Sequence, residues 1–177
     1  MTSLETNHSF LNFFLTRLMS SEIATTSAVN LKPGDTAPDF SAESTDGSRI
    51  SLDQFQGKSN VVLYFYPEDM TSGCTIEAQK FRDDRDKFTA ANTVILGVSL
   101  DDRAKHQAFT KKDNLNFLLL ADIDSTICNA YGVPINGHQP KRWTFLIGKD
   151  GKIKQTYHSV DPKTHSEQLL RDIASVR

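Results

Sequence analysis

An unbroken apolar run, Val61–Tyr66 (VVLYFY), is followed at once by Pro67. Continuous β-branched and aromatic residues mark a strand covered on both faces, as in a parallel sheet. Pro67 ends it, because it has no N–H to give the ladder. A short polar turn, Glu68-Asp69-Met70, leads into Thr71-Ser72-Gly73-Cys74. From there Cys74, Ala78, Phe81 and Phe88 recur at a spacing that suits one helical face, with Arg85 breaking the series. Thr71 or Ser72 is suited to cap this helix. Either choice sets Cys74 in the first turn, beside unpaired N–H donors and the positive end of the macrodipole.

A cysteine does nucleophilic work as thiolate, and a helix start with a cation nearby favours that form. The plainer alternative for Cys74 is a small buried hydrophobe, the usual fate of a free cysteine. Strand, proline, hydroxyl and helix start in this order favour the reactive one.

The spacing Pro67-x-x-x-Thr71-x-x-Cys74 resembles the active-site motif of the peroxiredoxins. The longer run FYPEDMTSGCTIEAQKFRD resembles the peroxiredoxin Q, or bacterioferritin comigratory protein, branch of that AhpC/TSA-like family. The resemblance implies a thiol peroxidase in which the Cys74 sulfur attacks a peroxide oxygen and becomes a sulfenic acid. It implies that Thr71 touches sulfur and peroxide while Pro67 shields the sulfur and fixes the turn. Arg142, opening the segment RWTFLIGKDG, is implied as the cation; a guanidinium always carries its charge and donates several hydrogen bonds. Its alternative is a solvated strand-end arginine. Glu77 and Arg82 match family positions too and read as a network orienting Arg142, with an exposed i,i+5 pair as the alternative.

Two departures from the family pattern matter. Ser72 stands where many relatives have proline, and Gln79 stands where many members of this branch carry the resolving cysteine. The only other cysteine is Cys128, in STICNAYGV, read as a packed core residue with a distant resolving thiol as the alternative. The expectation is therefore a one-cysteine mechanism. An external thiol (thioredoxin, glutaredoxin or glutathione) would recycle it, and no cofactor or metal is needed. A redox sensor or holdase using Cys74 is the competing function. A dithiol oxidoreductase is disfavoured because the chain has no CxxC.

The other side chains narrow the field further. A formal net charge of −2 gives no reason to expect nucleic acid or an anionic membrane as partner. Five scattered histidines without HExxH make no zinc pattern, and no apolar run approaches the roughly 18 residues of a membrane span. Two cysteines suit a reducing compartment, and the expectation is a cytoplasmic monomer. Residues 1–30 are rich in Ser, Thr and Asn and read as an extension, disordered or a non-native start; Met19 offers another start. FLNFFLTRLM within it makes a poor secretory signal, with an organellar address or a docking helix as alternatives.

Residues 31–177 read as one domain. Extended segments at Phe40–Ser44 and Ser48–Leu52 flank the turn Asp46-Gly47. Strands follow at Thr93–Leu100 and Phe117–Leu120, and helices at Asp101–Lys112 and from Asp124 or Ser125 to Tyr131. A hairpin of Arg142–Ile147 with Ile153–His158 precedes a last helix starting near Pro162. Such alternation gives an α/β layer fold with a mostly parallel sheet and helices on both faces. The resemblance makes it a thioredoxin-like fold with an N-terminal β-hairpin extension.

Overall fold

The computed structural model describes residues 29–175, so the readings made on residues 1–28 lie outside the described residues. In chain order the elements are β1 (Ser41–Ser44), β2 (Arg49–Ser51), a 3-10 turn (Leu52–Phe55), β3 (Asn60–Phe65), α1 (Ser72–Ala90), β4 (Thr93–Ser99) and α2 (Arg103–Asp113). Then come β5 (Leu118–Ala121), α3 (Thr126–Ala130), β6 (Ile135–Asn136), β7 (Gln139–Pro140), β8 (Trp143–Ile147), β9 (Ile153–Tyr157) and α4 (His165–Ser175). The main sheet has the order β2-β1-β5-β4-β3-β8-β9. β3, β4 and β5 pair in parallel, and β1 and β8 run against them. This is the thioredoxin-like α/β arrangement, with β1 and β2 added as the N-terminal hairpin.

β3 lies at the heart of the sheet because nearly everything on it is apolar. Val61, Leu63 and Phe65 face one core with Tyr131 and Phe145; Val62, Tyr64 and Tyr66 face the other with Cys74, Phe81 and Phe109. Each such side chain, taken fully from water, contributes about 1.5–3 kcal/mol before entropy is counted. The crossovers β3-α1-β4 and β4-α2-β5 step the same way across the sheet. Their common right-handedness therefore puts α1 and α2 on one face. α4 joins them there, while α3 and the 3-10 turn cover the other.

Three local details depart from expectation. Ser125 makes no capping bond at the start of α3; Asp124 accepts from the Thr126 N–H at 3.2 Å, and Asp122, just past β5, accepts from the Ile127 and Cys128 N–H groups at 2.8 Å each. α4 begins at His165, because Asp161–Thr164 form a turn in which the Asp161 carbonyl accepts from the Thr164 and His165 N–H groups. The hairpin β6–β7 was unforeseen, although Asn136-Gly137 is a hairpin turn signal and Gly137 takes φ 64° there.

Candidate active site

Strand pairing explains how distant residues meet. Phe65 at the end of β3 pairs with Trp143 at the start of β8. The chain leaving β3 for α1 therefore passes beside Arg142, which immediately precedes β8. Cys74 is in the first turn of α1 and only 2% exposed. Arg142 Nη2 donates to the Cys74 sulfur at 3.2 Å, and Nη1 donates to Glu77 Oε2. One guanidinium thus spans Cys74 and Glu77, three residues apart on the same face of α1.

Burial pushes the Glu77 carboxyl up to about 7, against the pull of Arg142; Glu77 itself is 1% exposed. Arg142 stays above the ordinary guanidinium value although burial works against it, because Glu77 and Cys74 favour its charge. Gly73 completes this corner. A Cβ at that position would lie 3.3 Å from Arg142 Nη2, so the bare backbone leaves the guanidinium its place. Sequence reasoning passed over Gly73, though its position directly before the cysteine was the available signal.

Thr71 occupies the cap position of α1, and its carbonyl accepts the first helical bond, from Thr75 N–H at 2.8 Å. Its side chain makes no capping bond, contrary to the sequence expectation, and no hydrogen bond to the Cys74 sulfur. The hydroxyl instead donates to the Glu68 carbonyl at 3.0 Å, turning back into the loop. Pro67 is half-buried, one residue beyond Tyr66, whose N–H still bonds the Val98 carbonyl.

Arg82 is a correction: it does not reach the Arg142 pair. Its guanidinium donates to the Asp113 carbonyl at 2.7 Å and pairs with Asp83. Five residues beyond Glu77 on a helix of 3.6 residues per turn, it points well away from the Glu77 side. Gln79 is engaged similarly, its amide donating to Asp113 Oδ1 at 2.9 Å. Cys128 is fully buried, in the core on the sheet face opposite Cys74. Burial, with Asp122 beside it, pushes the Cys128 thiol well above the ordinary range. Both cysteines are free thiols.

Among the described residues no group of His, Cys, Asp and Glu is arranged to hold a metal ion, and no helix is long and apolar enough to cross a membrane.

Comparison with known proteins adds an independent line. The model of the AhpC/TSA family matches residues 33–156. The chloroplastic peroxiredoxin Q of Populus jackii is 38% identical over 160 residues, covering 89% of this chain and 75% of that protein. Among solved structures, peroxidoxin BcpB of Mycobacterium tuberculosis superposes with a TM-score of 0.78 at 31% identity, over 84% of this chain and 99% of that one. The Xanthomonas campestris bacterioferritin comigratory protein, described for its alkyl peroxide reduction activity, gives 0.73 at 29% identity, over 84% and 98%.

Proposed function

The chain belongs to the AhpC/TSA family, the peroxiredoxins, and is a thiol peroxidase; on that footing we propose that Cys74 is its peroxidatic nucleophile, with Arg142, Thr71 and Pro67 completing the site and Glu77 orienting Arg142. The observation carrying this assignment is the 3.2 Å contact from Arg142 Nη2 to the Cys74 sulfur at the start of α1. The thiolate attacks one oxygen of ROOH, and the O–O bond breaks. The sulfur becomes a sulfenic acid, and the leaving oxygen takes a proton as ROH. The Arg142 guanidinium and the helix N–H groups face negative charge on both sulfur and leaving oxygen. The Thr71 hydroxyl gives its proton to Glu68, so its oxygen is the acceptor for the peroxide O–H.

Two residues support a one-cysteine cycle. Gln79 supplies an amide, engaged with Asp113, where a resolving thiol stands in relatives. Cys128 lies across the sheet from Cys74. An external thiol condenses with the sulfenic acid, releasing water and leaving a mixed disulfide, and a second thiol frees Cys74. Thioredoxin, glutaredoxin or glutathione supplies these thiols to a monomeric protein in a reducing compartment, the cytoplasm. Hydrogen peroxide and organic hydroperoxides are the substrates. Stopped-flow peroxide consumption with Cys74→Ser is the test: the variant should be inert at every peroxide concentration, and retained activity sinks the assignment.

A further inference from the structure

The loop between β3 and α1 carries Pro67 and Thr71, and its conformation is not one a chain adopts freely. Met70 has φ 62°, a left-handed geometry that a residue with a side chain adopts only against steric resistance. Something must hold it. The neighbouring Asp69 is 3% exposed and fully engaged. Its Oδ1 accepts from the Tyr66 hydroxyl at 2.6 Å, its Oδ2 lies 2.7 Å from His106 Nδ1, and its N–H donates to Asp101 Oδ2 at 2.8 Å.

His106 is completely buried on α2, and its Nε2 lies 3.1 Å from the Leu120 carbonyl of β5. A carbonyl only accepts, so Nε2 bears a hydrogen, and one further proton is held between Nδ1 and the Asp69 carboxylate. A buried carboxylate left without such partners is costly, so the pair fixes Asp69 wherever α2 and β5 fix His106.

We propose that Asp69 and His106 are positioning residues of the peroxidase site, a buried carboxylate–imidazole clamp setting the β3–α1 loop over Cys74. The inference rests on the assignment of Cys74 and Thr71 above. The path is short. Asp69 is bonded directly to Glu68, whose carbonyl orients the Thr71 hydroxyl. On the outer side the Glu68 carboxylate is tied to Lys105 at 2.6 Å and to the Gln139 amide at 3.0 Å. Those outer ties are exposed and weak, whereas the inner clamp is sealed from water. A loop freed from it displaces Thr71, and a misplacement of about 1 Å at a reacting centre can cost about a hundredfold in rate.

The test compares two reactions of the same sulfur in the full chain. Peroxide reduction needs Thr71 in place, whereas alkylation of Cys74 by iodoacetamide needs the ionised sulfur but not Thr71. His106→Leu and Asp69→Ala should each slow the peroxide reaction at least about tenfold while alkylation stays within about threefold. Asp69→Asn offers an oxygen to Tyr66 and an amide to a neutral imidazole, so it should recover most of what Asp69→Ala loses. Phe109→Leu, a core change beside Tyr66 on α2, is the control for lost packing.

A His106→Leu protein with wild-type peroxide kinetics overturns the proposal. So does one slowed no more than Phe109→Leu at equal loss of thermal stability. If His106→Leu and Asp69→Ala fail to fold, Tyr66→Phe decides. It removes one hydroxyl from the clamp and should slow peroxide reduction about two- to fivefold with alkylation unchanged; no slowing overturns the clamp. Failure of the underlying site assignment shows separately, as peroxide consumption by Cys74→Ser.

Discussion

Arg142 and Cys74, 68 positions apart in sequence, meet at 3.2 Å because β8 pairs antiparallel with β3 and their facing ends deliver both residues to one corner. The guanidinium uses a second nitrogen on Glu77. A lysine in its place has one compact ammonium on a flexible stem and cannot hold both partners in a fixed plane. Arg142→Lys should lower kcat/KM for peroxide by about 10²–10³-fold with the fold retained by circular dichroism. A loss smaller than about threefold would show that charge alone suffices.

Gly73→Ala separates stability from activity. Alanine in a helix is favoured over glycine by roughly 0.5–1 kcal/mol, so the variant should melt no lower than the parent. Its Cβ would sit 3.3 Å from Arg142 Nη2, and that nitrogen has little room to yield because Glu77 and Cys74 hold the guanidinium from two sides. The peroxide reaction should slow about tenfold. Thermal melts beside stopped-flow kinetics check both halves, and an unslowed Gly73→Ala shows that the guanidinium accommodates the methyl.

What the sequence revealed follows from how burial leaves its mark. A central strand is apolar without a break, so β3 was legible, and the 3.6-residue period of Cys74, Ala78, Phe81 and Phe88 gave the face of α1. Arg142 came from family resemblance, since a single arginine ahead of a strand carries no pattern of its own. His106 stayed hidden because DDRAKHQAF reads as a solvated helix start; only packing against β5 and the β3–α1 loop turns that histidine inward. Arg82 misled for the opposite reason. Its motif position suggested the site, but the helical rotation between residues 77 and 82 sends it to the end of α2.

Glu77 should make part of the protein's stability pH-dependent. Its carboxyl titrates near 7 in the folded protein, against an ordinary value of 4.5, because burial disfavours the charge. Between those values the folded chain binds a proton that the unfolded chain does not. The group's stabilising contribution is therefore complete below about pH 4.5 and is lost as the pH rises through 7. Relative to Glu77→Gln, the unfolding free energy of the parent should fall by up to about 3 kcal/mol from pH 5 to pH 8. His165, lowered to about 4 by burial, works in the opposite sense: its contribution is present above 6.5 and lost toward acid. Both proteins carry it, so it cancels in the difference. Urea unfolding of the two at both pH values is the measurement, and parallel profiles would refute the assignment.

Recycling is the remaining question. A disulfide needs its two Cα atoms within about 7 Å, and here the sheet stands between the thiols, Cys74 in the core under α1 and Cys128 in the core under α3. Cys128 is also the weaker nucleophile, since burial and Asp122 keep its thiol neutral. Serine differs from cysteine by a single atom and places a hydroxyl in the same small space beside Asp122, so Cys128→Ser should fold. With an external thiol supplied, its turnover should stay within about twofold of the parent. Non-reducing peptide mapping after one equivalent of peroxide should find Cys74 as sulfenic acid or joined to the added thiol. A dominant Cys74–Cys128 bridge within one chain, with turnover lost in Cys128→Ser, would require the α1 or α3 end of the fold to open during the cycle and would replace the one-cysteine scheme. A bridge joining two chains would instead place the resolving thiol on a second copy, which the same mapping on a non-reducing gel separates by mass.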